Sequence, residues 1–324
     1  MKIMVVGGAG YIGSHMCKLL QAGGHEALIV DDFSTGHRDA ARFGALAEGS
    51  IADRGFLDRL FAAHRCDAVM HFASFIQVGE SVREPARYYR NNLANTQNLL
   101  DAMLDHGVKS FVFSSTAALF GEPERVPIDE TAKEAPINPY GRSKWMVEQM
   151  LNDYETAYGL KSVCLRYFNA AGADPDGELG ERHDPETHLI PLVLQAASGR
   201  REKIAVFGTD YDTPDGTCIR DYIHVSDLCD AHLLALKRLA DGGGSARYNL
   251  GNGSGFSVRE VIDTARRVTG RDIPVACEAR RPGDPARLVA DSRRVRTELG
   301  WQPKRPDLET IVADAWAWER KYPW

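Results

Sequence analysis

The chain has 324 residues, of which 44% are hydrophobic and 26% charged, and a formal net charge of -6. This length and composition allow a large core in an ordinary globular protein, and the acidic balance argues against nucleic-acid binding by counterion release. No apolar run approaches the length that spans a bilayer, and the first residues enter a strand at once, so a cytoplasmic protein without a signal peptide is expected. The six cysteines (Cys17, Cys66, Cys164, Cys218, Cys229, Cys277) are scattered with no CxxC pair, so reduced, mostly buried thiols are expected, and no metal site.

Lys2-Ile3-Met4-Val5-Val6 is short and apolar and reads as a buried strand. Gly7-Gly8-Ala9-Gly10-Tyr11-Ile12-Gly13 follows, then a helical pattern over 14–22 that Gly23-Gly24 ends. A second apolar run, Ala27-Leu28-Ile29-Val30, closes on Asp31-Asp32. The order strand, glycine turn, helix, strand, acid carries a mechanism. Gly7 lets the chain turn sharply, Gly10 has no Cβ to hold a pyrophosphate off the backbone, and Gly13 lets the helix sit close to the strand. The helix N-terminus offers N–H groups and partial positive charge to phosphates. Asp31 can accept hydrogen bonds from a ribose diol and would repel a 2′-phosphate, which points to NAD rather than NADP.

After a turn-rich loop at 33–37, residues 45–49 read as a third strand. A helix over 53–64 places Phe56, Leu57, Leu60 and Phe61 on one face. Residues 67–73 form a fourth strand, with His71 as a packed strand-end residue. One long helix is expected over 88–106, bounded by Gly107, and a fifth strand over 109–116 that runs out into hydroxyls. Asn138-Pro139 starts the next helix, since Asn is a good N-cap and Pro suits the first helical position, and Gly159 stops it. A sixth strand covers 162–168. Strands alternating with helices indicate an α/β fold, a doubly wound parallel (Rossmann) sheet with a smaller mixed α/β lobe.

From Ala170 the character changes. A loop at 171–177 precedes a helix over 188–198 broken at its start by Pro191. A polar loop at 208–216 leads to one strand-like run over 220–225, a helix over 226–239 and a short strand at 248–251. Ser257 and Glu260 make a capping box for a helix that ends at Gly270, and 308–320 reads as an amphipathic helix. The expected division is 1–168 for the dinucleotide and 169–324 for substrate, with part of 220–251 packing back on the first.

Thr116, at the C-terminal end of the fifth strand, and Tyr140 and Lys144, one helical turn apart, converge at the C-terminal end of the sheet, where open parallel sheets bind ligands. A tyrosine near pKa 10 is a poor base at neutral pH. A nearby ammonium, the positive end of the helix and an oxidised nicotinamide all favour the phenolate. Tyr140 can then take a proton from a sugar hydroxyl that Thr116 aligns, while hydride leaves the same carbon.

These features sit in longer stretches: GGAGYIGSH at 7–15, HFAS at 71–74, VGESV at 78–82, NPYGRSKWMVEQ at 138–149, LRYFNAAGADPDG at 165–177, DGTCIRDYIHVSDL at 215–228, YNLG at 248–251 and ARRPGD at 279–284. With them the chain resembles the extended short-chain dehydrogenase/reductase family, and within it the UDP-glucose 4-epimerase branch. The resemblance implies that Tyr140 is the acid and base, that Lys144 holds the nicotinamide ribose and tunes it, and that Thr116 assists. It implies NAD contacts from Gly7, Gly10, Tyr11, Ile12, Gly13, Asp31, Asp32, Ser50, Ile51, Phe72, Ala73, Asn91, Ser114 and Phe168. It implies a UDP-hexose substrate held by Asn169, His188, Leu189, Val206, Phe207, Arg220, Tyr222, Arg280, Arg281, Asp284 and Leu288. A diphosphate does call for forked guanidinium donors.

The resemblance further implies a homodimer joined through the 88–106 and 138–158 helices, and inversion at carbon 4 through a transient 4-keto sugar. Departures from the commoner pattern are Val6 for threonine, Thr116 for serine, Ser50 for an adenine-contacting aspartate, Ile76 for a lysine and His188 for asparagine. A 4,6-dehydratase would need a carboxylate pair where Ala117-Ala118 stands. A UDP-pentose or N-acetylhexosamine 4-epimerase and a non-catalytic NAD-sensing regulator are the other readings.

Overall fold

In the computed structural model, which describes residues 1–281 and 284–321, β1 (Lys2–Val6) is buried along almost its whole length because every residue after Lys2 is apolar. Pro282 and Gly283, within the expected 279–284 stretch, lie outside the described residues. Helix α1 (Tyr11–Ala22) follows the glycine turn, and β2 (Glu26–Asp31) pairs parallel with β1. Then come β3 (Ala45–Glu48), α2 (Arg54–Ala63) and β4 (Ala68–His71). Asp53 caps α2 by accepting the Phe56 N–H at 3.0 Å.

The single helix expected over 88–106 is divided. After the short turns α3 (Val78–Arg83) and α4 (Pro85–Tyr88), residues Tyr89–Ala94 form a π turn before α5 (Asn95–Asp105). Buried Asn92 lies in that wide turn, and its amide reaches the Phe75 carbonyl at 3.0 Å and the Ser143 hydroxyl at 3.2 Å. Such π turns concentrate at functional sites. Next come β5 (Ser110–Thr116), α6 (Pro139–Tyr158) and β6 (Lys161–Tyr167). Asn138 caps α6 by accepting the Gly141 N–H at 2.8 Å, and Gly159 ends it at φ +71°.

The strands build a seven-stranded doubly wound sheet, with the Ala246–Leu250 strand at one edge followed by β6, β5, β4, β1, β2 and β3. The order reverses at β1, which lies between β4 and β2, and this is the switch point at which such sheets bind ligands. Residues 1–121, 133–166 and 229–248 form one compact unit. Its core combines Met4, Leu28, Val69 and Phe111 from the strands with Leu57, Leu99 and Val147 from the helices. Each such side chain contributes roughly 1.5–3 kcal/mol on burial.

Residues 122–132, 167–228 and 249 onward form the second unit, which has its own core of Ile190, Val193, Val261, Ile311 and Trp316. Here the expected 220–225 strand is two strands in different sheets. Ile219–Arg220 pairs with Phe256–Ser257 and Arg287–Leu288, and Tyr222–His224 pairs with Asn169–Ala171. The break falls at Asp221, whose buried carboxylate accepts the N–H groups of Asn252, Gly253 and Ala290. Pro191 does not break its helix, which runs Leu189–Ser198, because a first-turn N–H has no intrahelical partner to lose. The Ser257–Glu260 capping box is present. No helix among the described residues is long and apolar enough to cross a membrane.

Candidate active site

The glycine turn is built by exclusion. Gly7 has φ +80°, and a Cβ there would lie 2.9 Å from the Ala73 backbone Cα. A Cβ on Gly13 would run into the Gly7 carbonyl. At Gly10 a Cβ would meet only the Gly7 carbonyl oxygen, at 3.4 Å, so the space above it is open. Asp31 is buried and braces the turn, accepting the Ala9 N–H at 2.9 Å on one oxygen and the Phe33 N–H at 2.9 Å on the other. Burial pushes its carboxyl above the usual range, and the two N–H groups pull it back. Each oxygen keeps acceptor capacity beyond its one amide. Asp32 instead caps its own turn, accepting the Ser34 N–H at 3.0 Å.

Of the other residues implied for the cofactor, Phe72 and Ala73 leave β4 with their N–H groups on the Val6 carbonyl, which places them beside Gly7. Ile12 accepts a long Cys229 thiol contact at 3.8 Å, Ile51 is buried and accepts the Asn98 amide at 2.5 Å, and Asn91 donates to Asn92 at 3.0 Å. The Ser50 hydroxyl accepts a 3.4 Å contact from the Ala52 N–H, and its carbonyl accepts the Asp53 N–H at 3.0 Å. The Phe168 N–H bonds the Leu250 carbonyl at 3.2 Å within the second unit. His71 is a buried strand-end residue, with Nε2 2.9 Å from the Thr96 hydroxyl. Burial, aided by the Lys144 charge, takes its pKa down to about 3, so it is neutral.

β5 and α6 bring Thr116, Tyr140 and Lys144 together. A Cβ on Gly141 would fall 2.5 Å from the Ala118 carbonyl oxygen, so only glycine lets the start of α6 approach the turn after Thr116 so closely. Tyr140 hydrogen-bonds Thr116 there, while Thr116 also accepts the Ala118 N–H at 3.1 Å. Burial pushes the Tyr140 pKa up and the Thr116 hydroxyl opposes it. Lys144 is 1% exposed. Its ammonium donates to the Ser74 hydroxyl at 2.5 Å and the Ser114 carbonyl at 2.8 Å, and lies over the Phe113 ring at 4.8 Å. Burial takes its pKa down to about 7 against the opposing pull of Glu148.

Sequence reasoning missed Glu148, although it continues the i, i+4 series of Tyr140 and Lys144. Its fully buried carboxylate accepts the Ser115 hydroxyl at 2.6 Å and the Arg166 guanidinium at 2.6 and 3.0 Å, and pairs with Arg247 at 2.8 Å. Ser115 precedes Thr116, so this network locks the end of β5 to α6. Ser74 was also missed, because its role depends on β4 and α6 meeting.

In the second unit, Arg220 and Asp284 form an ion pair, and Arg220 also donates to the Ile219 and Pro285 carbonyls at 2.8 and 2.9 Å. Arg280 pairs with Asp210 at 2.7 Å and stacks over Tyr211 at 4.1 Å, while Arg281 lies over the Phe207 ring at 3.8 Å. Val206 is buried in the strand that ends at Phe207. Asn169 and buried Tyr222 are register partners, as are Leu288 and Arg220, and Leu288 is half-buried rather than core.

His188 and Leu189 open the Leu189–Ser198 helix. His188 Nδ1 lies 2.9 Å from both Glu181 and Glu186, and His183 Nδ1 lies 3.2 and 3.5 Å from the same two carboxylates. Burial disfavours charge on both imidazoles, but the carboxylates outweigh it and raise His183 to about 9 and His188 to about 10.

The profile of the NAD dependent epimerase/dehydratase family matches residues 3–251. The chain is 56% identical to the UDP-glucose 4-epimerase of Azospirillum brasilense over 98% of this chain and 92% of the relative. It is 53% identical to that of Halalkalibacterium halodurans over 100% and 97%. The crystal structure of UDP-glucose 4-epimerase from Brucella ovis in complex with NAD is similar at a TM-score of 0.96, with 52% identity and 97% of each chain covered.

Proposed function

The chain belongs to the NAD dependent epimerase/dehydratase family, and from that premise we propose that it interconverts UDP-glucose and UDP-galactose by inverting carbon 4 of the hexose. The observation that carries the reading is the meeting of Thr116, Tyr140 and buried Lys144 at the ends of β5 and α6. The glycine turn fits NAD, since Gly7 and Gly13 tolerate no side chain and Gly10 leaves open space at the start of α1. Gly7, Gly10 and Gly13 would hold the pyrophosphate and Asp31 the ribose. The chemistry supplied by bound NAD is reversible hydride acceptance at sugar carbon 4, so the sugar passes through a 4-keto form.

Tyr140 does the proton work, taking the proton of the 4-hydroxyl as the keto form arises and giving it back afterwards. Thr116 donates to the Tyr140 oxygen and so favours the phenolate against the burial that opposes it. Lys144, fixed by Ser74 and the Ser114 carbonyl, presents a positive charge without mobility. Glu148 keeps the strand and helix in register through Ser115.

The second unit contributes the uridine diphosphate grip, with Asn169, Arg220, Arg280, Arg281 and Asp284 as its polar groups and His188, Leu189, Val206, Phe207, Tyr222 and Leu288 around the sugar nucleotide. Arg220 is already oriented by Asp284, so a diphosphate meets a guanidinium set in place beforehand. Remote binding of this kind leaves the hexose free to turn and present its other face. The working form is a cytoplasmic homodimer joined through α4–α5 and α6. Incubating the protein with UDP-galactose and following UDP-glucose by chromatography tests the activity, and absence of conversion by NAD-loaded protein refutes it. A monomer by light scattering at micromolar concentration refutes the dimer.

A further inference from the structure

The segment Glu181-Arg182-His183-Asp184-Pro185-Glu186-Thr187-His188 places four donor side chains in eight residues of irregular backbone. Glu181 and Glu186 keep only 6% and 5% of their side-chain surface exposed. Two buried carboxylates converging on one point repel each other unless a cation lies between them. Here each imidazole is shared by both carboxylates: His188 Nδ1 sits 2.9 Å from Glu181 Oε1 and from Glu186 Oε1, and His183 Nδ1 sits 3.2 Å from Glu181 Oε1 and 3.5 Å from Glu186 Oε2. A simple ion pair needs one carboxylate per imidazole. All four donor sets lie within 4.8 Å of one another.

We propose that Glu181, His183, Glu186 and His188 form a structural site for one divalent transition-metal ion of the zinc class. Zinc binds histidine nitrogen and carboxylate oxygen at about 2.0–2.2 Å, so the donors of a tetrahedral site stand about 3.3–3.6 Å apart. The four nitrogen–oxygen separations of 2.9 to 3.5 Å approach that edge length, with Glu186 offering one oxygen to His188 and the other to His183, and all four residues have a donor atom within 4.8 Å of the others. Two nitrogens with two carboxylates suit zinc and its first-row neighbours and disfavour magnesium and calcium, which take oxygen shells. Four protein donors close the coordination, which is the arrangement of a structural rather than a catalytic ion.

The backbone of the segment is held from outside. The Trp318 indole N–H donates to the Glu181 carbonyl at 3.3 Å, the Arg182 guanidinium lies over the Trp318 ring at 5.9 Å, and Gly180 packs against that ring too closely for any Cβ. The donors are therefore presented by a loop already pinned to the Leu308–Lys321 helix. The ion closes the 181–188 segment on itself just ahead of the Leu189–Ser198 helix, whose N-cap is His188.

The test uses protein made without a polyhistidine tag, stripped with a chelator and titrated with zinc chloride against a chromophoric competitor. One zinc per chain is expected, with affinity falling at least about 100-fold in Glu181→Gln and in His183→Gln. Equal zinc uptake by parent and variants, or no stoichiometric uptake by the parent, overturns the site. Cobalt(II) loading of the parent needs no variant to fold. The intense visible absorption of a tetrahedral ion supports the site, and the weak spectrum of an octahedral ion overturns it. NAD content, followed in parallel, separates failure here from failure of the epimerase reading.

Discussion

Replacing Tyr140 by phenylalanine removes a single oxygen, and the structure limits what else can change. Thr116 keeps the bond it accepts from the Ala118 N–H at 3.1 Å, but its own O–H loses the tyrosine oxygen as acceptor. The neighbouring anchors do not involve the phenol. Lys144 stays on Ser74 and Ser114, and Ser143 stays on the Tyr140 carbonyl at 2.7 Å. The cost to folding is therefore that of one buried donor left unsatisfied, about 1–3 kcal/mol. The cost to turnover is that of the proton acceptor, about 100- to 10,000-fold, or about 3–5 kcal/mol in the barrier. The assay is kcat for UDP-galactose conversion, with UDP affinity and bound NAD measured on the same preparation. Turnover within about ten-fold of the parent, with substrate and NAD bound normally, would remove Tyr140 from the proton path.

Lys144→Met should abolish most activity yet leave the fold no less stable at neutral pH. The folded pKa near 7 lies below the unfolded value of 10.5, so the protonated lysine costs about 4 kcal/mol at pH 7, an amount the two lost hydrogen bonds largely offset. Because the unfolded chain binds more protons between pH 7 and 10.5, the parent should gain stability relative to the variant as pH rises through that window, and parallel denaturant curves at both pH values would contradict the burial argument. Protein stripped of cofactor should bind NAD more tightly than NADP, and Asp31→Ser should weaken NAD by about 10-fold or more through loss of a charged acceptor. Equal parent affinities for the two dinucleotides in calorimetry would sink the Asp31 assignment. Leu288, half-buried beside Arg220, should admit N-acetylated UDP-hexoses weakly; Leu288→Tyr should suppress and Leu288→Ser should raise that activity, by about 1–3 kcal/mol in discrimination. An unchanged ratio of the two activities in both variants would mean Leu288 is not the gate.

What the sequence by itself determined was whatever acts over a few residues. Glycine spacing after an apolar strand, Asn138-Pro139 before a helix, Ser257 three residues ahead of Glu260 and a tyrosine one turn before a lysine each carry their physics locally, and each holds in the structure. The first six strands of the sheet follow from the same alternation of short apolar runs and helices, whereas the edge strand Ala246–Leu250 joins from almost 80 residues further along the chain. Tertiary structure alone decided the rest, because those features join residues far apart in the chain. The π turn at Tyr89–Ala94 accompanies contacts of Asn92 with Phe75 and Ser143. Asp221 splits an apparent strand because three N–H groups from two later segments need its carboxylate. Glu148 reads as an ordinary helix-face glutamate until Ser115, Arg166 and Arg247 close around it. Burial has the same origin. A lysine is charged in any sequence, and only the packing of β4, β5 and α6 around Lys144 lowers its pKa to about 7.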